Sequence, residues 1–105
     1  KVCENVGLPY QLVPRHRLAH FKHIFAGGYN AGYYTYLWAE VLDRHLYSVF
    51  ENKGDVWDKD LAMKFRKTFL EKGASEAPMK LFKSFTGAEK PNTEAFFKSR
   101  GLETP

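Results

Sequence analysis

Cysteine is nearly absent from this chain, since Cys3 is the only one among 105 residues. A single thiol cannot form an internal disulfide, which favours an intracellular protein, with the cytoplasm a better expectation than mitochondria. Long apolar runs are also missing: no stretch approaches the roughly 18 residues that a transmembrane helix needs. The first residues do not have the pattern of a secretory signal peptide. We therefore expect no membrane partner.

The chain begins with Lys1 rather than Met, and we take this to favour a piece of a longer polypeptide. Its length suits one domain with a modest core. Residues 1–20 combine glycine and prolines with mixed polar and apolar residues, which predicts an initial segment of little regular structure. We expect residues 21–105 to form the main helical part.

The charge is basic without being concentrated in one block. Sixteen Lys and Arg against 12 Asp and Glu give a formal net charge of +4. Basic and acidic residues share the predicted helices, as on a solvated face, and no known nucleic-acid-binding module accompanies them. We expect no nucleic-acid partner.

Strand-like alternation is absent, and helical spacing of apolar residues predicts an all-α fold. The longest predicted helix covers roughly residues 30–52 and is capped by Gly54. Aromatic residues crowd its first turns, so we expect that end to be deeply buried, with Tyr34 in the core. Its apolar stripe is wider than the short helices behind it can cover. Part of the stripe should therefore pack against chain outside this sequence.

Three shorter helices are predicted after the long one. Asp58 is the expected N-cap of the first, and Ser75 is the candidate N-cap of the second. The second also carries Pro78 in its first turn and ends at Gly87. The third opens at Asn92 or Thr93.

The spacing of the histidines is compatible with a metal site, but no other feature of the sequence supports one. His16 and His20 have the spacing that zinc peptidases use, but Arg17 stands where the general-base glutamate is needed. His23 could add a third ligand, yet nothing marks further donors or a pocket. We interpret His16 and His20 as surface or hydrogen-bonded residues and assign no metal ligand to this chain.

Glycines run directly into tyrosines between Ala26 and Tyr36. A tyrosine hydroxyl is protonated at neutral pH and donates a hydrogen bond to a developing oxyanion. Tyr29 and Tyr36 are seven residues apart and share a face if both are helical. If the glycines unwind the chain, Tyr29 lies on a loop instead. The alternative is that these tyrosines fill the core with their hydroxyls at its rim.

A family resemblance is carried by residues 21–41, which read F-K-H-I-F-A-G-G-Y-N-A-G-Y-Y-T-Y-L-W-A-E-V. This run resembles the C-terminal part of the thimet oligopeptidase family of zinc metallopeptidases, which includes oligopeptidase A and peptidyl-dipeptidases. Downstream, Phe65-Arg66, Gly73-Ala74-Ser75 and Glu76-Ala77-Pro78 follow family segments that read "FR", "GGS" and "EP". The resemblance covers roughly residues 20–102, with Ala74 and Ala88 as departures from the family pattern.

The resemblance implies the C-terminal helical segment of a zincin-like, two-lobed peptidase whose channel admits short peptides. Members bind zinc through HExxH and a downstream Glu, and HExxH does not occur in this sequence. Zinc ligands are therefore expected outside it, and the chain alone is expected to be inactive. The implied partners are short peptide substrates and the remaining N-terminal part of the same polypeptide.

The resemblance also implies roles for individual residues. The positions that match the family's catalytic contacts to substrate and transition state are His23, Tyr29 and Tyr36. The positions on the substrate side are Tyr33, Gly27 and Gly28, where the glycines would let the loop close over a bound peptide.

A second hypothesis is a non-enzymatic helical protein-interaction domain, which docks a partner helix on its aromatic-rich face. It explains an uncovered apolar stripe, but it gives no reason for the glycines that precede the tyrosines.

Overall fold

The computed structural model describes residues 1–102, in which helices and turns occur without any strand. The predicted all-α class is confirmed. The helices are α1 (Val2–Asn5), α2 (Thr35–Lys53), α3 (Lys59–Thr68), α4 (Pro78–Thr86) and α5 (Glu94–Ser99). Single 3-10 turns occupy Leu18–His20, Lys22–Ile24 and Leu70–Lys72. None of the described helices is both long and apolar enough to cross a membrane.

The chain divides into two compact units, one of Lys1–Tyr34 and one from Thr35 onward. The first unit contains only α1 and two of the 3-10 turns as regular structure. Pro9 and Pro14 have no backbone N–H to donate, which works against a continuous helix through this stretch. Residues 6–17 of this unit contain turns and bends but no helix or strand.

The second unit has its core where α4 packs on α2 and α3. Its buried residues are Val41, Leu81, Phe82 and Phe85. The Phe85 ring, only 1% exposed, lies 5.8 Å from the Phe50 ring of α2 and 5.1 Å from the Phe65 ring of α3. One aromatic side chain thus contacts both neighbouring helices, and burial of such a ring stabilises a fold by about 1.5–3 kcal/mol.

Polar contacts at the rim join the same helices. The Lys64 ammonium of α3 donates a 2.9 Å hydrogen bond to the carbonyl of Phe85, near the C-terminal end of α4. A cation is favourable there because the last carbonyls of a helix carry partial negative charge. The Arg100 guanidinium, after α5, donates to both carboxylate oxygens of Glu40 on α2, at 3.3 and 2.6 Å.

The N-terminal end of α2 differs from the prediction in start and burial. The helix begins at Thr35 rather than near residue 30, because residues 30–34 form turns. Tyr34 is 69% exposed, so its assignment to the core is wrong. Leu37 and Trp38 are 55% and 48% exposed, so the described residues do not provide the deep burial expected for this end. The contacts of α2 with α4 and α5 run through later residues, among them Glu40 and Phe50, and leave the first turns uncovered in this chain.

The helix caps follow the sequence more closely. One Asp58 carboxylate oxygen accepts the Leu61 N–H at 2.7 Å, which confirms the predicted N-cap of α3. Gly54 and Gly87 have left-handed backbone, with φ of 80° and 77°, and confirm the predicted ends of α2 and α4. The prediction of Ser75 as the N-cap of α4 is wrong, because the helix begins three residues later, at Pro78.

Candidate functional site

The glycine segment forms a loop in the first unit, outside any helix. Gly27 and Gly28 have φ of 77° and 80°, in the left-handed region that other residues rarely enter. A Cβ at either position would meet no atom within 4 Å. Backbone conformation, not lack of space, is therefore what requires glycine. Of the two alternatives that the spacing left open for Tyr29, the loop position is the one observed.

Backbone hydrogen bonds close this loop on itself. The Ala31 N–H donates to the Ile24 carbonyl at 3.3 Å, and the Gly32 N–H donates to the Tyr29 carbonyl at 2.8 Å. Ala31 has φ of 52°, a left-handed conformation that costs a residue with a side chain about 1–2 kcal/mol. The backbone hydrogen bonds thus hold this turn in place despite the strain at Ala31. The turn brings the chain back to the 3-10 turn Lys22–Ile24.

Three rings meet at this loop, those of His23, Tyr29 and Tyr33. The ring centroids lie 5.9 Å apart for His23 and Tyr29, 5.8 Å for His23 and Tyr33, and 5.8 Å for Tyr29 and Tyr33. Both tyrosines are half-buried and the histidine is exposed. Aromatic pairs in such geometries contribute about 0.5–1.5 kcal/mol each. Three residues for which the sequence suggested a role at a site are thus neighbours in space, and a hydrogen-bonding side chain is present at every corner.

Phe21 supports this cluster, and the sequence did not single it out. Its ring stands edge-on to Tyr33 at 4.9 Å, and the His16 ring lies 5.1 Å away. These three residues lie outside the helices and 3-10 turns, so helical periodicity carried no signal of these contacts. The density of aromatic residues between positions 16 and 34 was the one available hint.

Tyr36 belongs to the second unit, in the first turn of α2. Its side chain is 55% exposed, so Tyr36 does not fill the core.

The described residues do not offer a metal site by themselves. Across residues 1–102, His, Cys, Asp and Glu side chains form no group of three or more that could hold a metal ion. His16 and His23 contact aromatic rings instead. A cleft of about 840 Å³ in the second unit lies between α2 and α5 and is lined by polar residues such as Asn52, Asn92 and Glu94. None of the candidate residues lines this cleft.

The family follows from a sequence comparison. The model of peptidase family M3 matches residues 2–102, which is nearly the whole chain. The chain belongs to peptidase family M3. M3 is a family of metallopeptidases, and the resemblance identified from residues 21–41 is confirmed.

Individual relatives agree with this assignment. The chain is 47% identical to oligopeptidase A of Salmonella typhimurium over 79% of its own length. It is 41% identical over 97% of its length to a probable cytosolic oligopeptidase A of Arabidopsis thaliana, and 38% identical over 96% to a dipeptidyl carboxypeptidase of Escherichia coli. The alignments cover only 12%, 15% and 14% of these relatives. The chain thus spans about one seventh of the length of the relatives it matches.

Proposed function

We propose that this chain forms part of a zinc-dependent oligopeptidase that hydrolyses peptide bonds in short peptides. The observation that carries the proposal is the match to peptidase family M3 over residues 2–102. The names of the relatives, oligopeptidase A and dipeptidyl carboxypeptidase, support short peptides as substrates. In this proposal the chain supplies the glycine loop and the tyrosine and histidine contacts to the peptide.

Zinc would be held by the rest of the polypeptide. The HExxH motif does not occur in this sequence, and the described residues do not fit a zinc site. We expect the chain to be inactive alone for that reason. The residues of this chain then act on the peptide, by binding and orienting it and by donating hydrogen bonds.

Tyr36 is the proposed donor to the reacting carbonyl. As the carbonyl carbon becomes tetrahedral, its oxygen gains negative charge, and a phenolic O–H directed at that oxygen stabilises the charge. The role rests on the position of Tyr36 in the family motif, and its 55% exposure shows only that the ring does not fill the core of the second unit. Loss of one such donor typically costs about 3 kcal/mol of transition-state stabilisation.

His23 and Tyr29 are proposed to contact the peptide substrate, with Tyr33 on the substrate side. The three rings already contact one another, so little ordering is left to be done when substrate binds. Gly27 and Gly28 give the loop backbone conformations that let it close over the peptide.

A protein-interaction role remains as a second candidate because of one observation. Leu37 and Trp38 expose about half of their side chains on α2. In the peptidase proposal this surface packs against the remaining N-terminal part of the same polypeptide. In the second candidate it would dock a separate protein.

The experiment is a hydrolysis assay on the full-length protein that contains this chain. We expect metal-dependent cleavage of short fluorogenic peptides, loss of cleavage after chelation, and no cleavage of a folded protein. The name of the Arabidopsis relative supports an intracellular and cytoplasmic location, which fractionation of cells would test. A metal-loaded, folded protein that cleaves no peptide and instead binds a partner through Leu37 and Trp38 would favour the interaction domain.

A further inference from the structure

Phe21 lies at the joint between two hydrogen-bonded turns of the first unit. Its N–H donates to the Leu18 carbonyl at 3.3 Å, which closes the 3-10 turn before it. Its carbonyl accepts the Ile24 N–H at 3.2 Å in the 3-10 turn that follows. Turns closed by such bonds have defined backbone dihedral angles, so the direction in which the Phe21 ring leaves the backbone is set on both sides.

The Phe21 ring meets the chain again after the glycine loop. Its centroid lies 4.9 Å from that of Tyr33 with the ring planes at 78°, an edge-to-face arrangement that aromatic pairs favour. The two residues are twelve positions apart and stand before and after the loop. The backbone bond that closes the loop, from the Ala31 N–H to the Ile24 carbonyl, is 3.3 Å long. The ring pair is thus a second connection between the two ends of the loop.

Tyr33 also contacts the other two rings of the cluster. Its ring lies 5.8 Å from that of His23 and 5.8 Å from that of Tyr29, and Phe21 and Tyr33 are both half-buried. The side chain of phenylalanine has no hydrogen-bonding group, so Phe21 does not bind the polar groups of a peptide itself. Any effect of Phe21 on substrate is therefore exerted through Tyr33.

We propose that Phe21 is a positioning residue for the peptide site, which holds the Tyr33 ring and the two ends of the glycine loop in the geometry that binds substrate. The proposal rests on the proposed function, because it adds a residue to that same site. An edge-to-face pair favours one relative orientation of its rings, so it restricts rotation of Tyr33 before a peptide arrives. Order that is present before binding is not paid for by the binding energy of the peptide, and the same contacts then give tighter binding.

The expected kinetic effect is a change in KM. Contacts that hold the peptide in the ground state and in the transition state alike affect KM and leave kcat unchanged. Phe21→Leu removes the ring and keeps a branched apolar side chain, and it should raise KM about three- to tenfold with kcat nearly unchanged. A substitution that only destabilised the fold would reduce the fraction of active protein, and would lower the apparent kcat at constant KM.

Three further variants separate the ring contact from other effects. Phe21→Tyr keeps a ring and should restore KM to near the wild-type value. Phe97→Leu removes a ring from an edge-to-face pair with Phe96 in α5, at 5.6 Å, and should leave KM as it is. Tyr33→Leu breaks the contact from the other side, and adding Phe21→Leu to it should change KM little further, because residues that act through one contact are not additive.

The measurements use the full-length, metal-loaded protein and one short fluorogenic peptide, with melting temperatures to establish that each variant is folded. Binding of a fluorescently labelled short peptide to the chelated protein reports the same effect without turnover, and its Kd should rise in parallel with KM. If Phe21→Leu does not fold, Phe21→Met takes its place. This variant also lacks the ring, fills the space with a flexible side chain and should raise KM as well.

Several results would overturn the inference. A folded Phe21→Leu protein with wild-type KM, or with a lowered kcat alone, would reduce Phe21 to packing and leave the proposed function in place. Additive effects of Phe21→Leu and Tyr33→Leu would contradict action through Tyr33. An equal rise of KM in Phe97→Leu would show a general loss of stability rather than positioning. Failure of the wild-type protein to cleave any peptide would remove the proposed function and the inference together.

Discussion

The Nδ1 atom of His45 on α2 accepts a hydrogen bond from the backbone N–H of Asn92, 3.0 Å away and just before α5. The imidazole also stands edge-on to the buried Phe82 ring, at 5.0 Å. Burial lowers the pKa of His45 from its ordinary value, and the carboxylate of Glu94 opposes this shift only in part. An Nδ1 atom that accepts a hydrogen bond must be unprotonated, so the contact and the lowered pKa agree.

The first prediction is that this contact makes stability depend on pH. The folded state disfavours the protonated imidazole, so the contribution of His45 is present above about pH 6.5 and is lost as pH falls through its lowered pKa. The free energy of unfolding is measured by equilibrium denaturation at several pH values. Near neutral pH, H45Q should be less stable than wild type. The difference in free energy between the two proteins should shrink as the pH is lowered. The control is H20Q, which changes an exposed side chain of the first unit and should cost little stability at neutral pH. A difference between wild type and H45Q that stays constant with pH would contradict the account.

The second prediction concerns the aromatic core of the second unit. Phe85→Ala removes a ring that is 1% exposed and contacts both α2 and α3, so it should lower the free energy of unfolding by about 3–5 kcal/mol. Leu70→Ala truncates a side chain that is 60% exposed and should cost well under about 1 kcal/mol. Chemical denaturation measures both. Similar losses for the two variants would mean that the core lies elsewhere.

The third prediction concerns the glycine loop. Gly28→Ala forces a side chain into left-handed backbone, at a cost of about 1–2 kcal/mol, although space for a methyl group is present. In the full-length protein the loop should shift and kcat/KM for short peptides should fall, while the melting temperature changes little because the core is not touched.

Gly32 is the matched control for that loop variant. Its φ is not in the left-handed region, and a Cβ there would meet the carbonyl oxygens of Asn30 and Tyr29 at 3.7 Å, an ordinary contact. Gly32→Ala should therefore be nearly neutral for hydrolysis. A larger loss at Gly32 than at Gly28 would show that close packing, rather than backbone conformation, explains the glycines.

Local signals in the sequence predicted local structure. Leu81, Phe82 and Phe85 are the buried face of α4, and their spacing at i, i+1 and i+4 is that of one apolar helix face. The cap at Asp58 and the left-handed Gly87 were predictable because each depends on a few neighbouring residues.

The sequence could not give the start of α2 or the ring contacts of the loop. Helical periodicity continues backward through Tyr33 and Tyr34, but residues 30–34 form turns, with left-handed backbone at Ala31. Alanine carries no signal of such a conformation. The contact between His16 and Phe21 and that between Phe21 and Tyr33 depend on how turns fold back, which spacing does not encode.

The central claim is that Tyr36 donates a hydrogen bond to the reacting carbonyl oxygen, and Tyr36→Phe in the full-length, metal-loaded protein tests it most directly. The change removes one hydroxyl and keeps the ring, so folding should be preserved. Tyr47→Phe is the matched control, since Tyr47 lies on the same helix and is 48% exposed. Because the interaction forms only as the carbonyl becomes tetrahedral, we predict that kcat falls about a hundredfold or more with KM nearly unchanged, and that Tyr47→Phe has normal kinetics. A folded Tyr36→Phe protein whose kcat stays within a few-fold of wild type would contradict the claim.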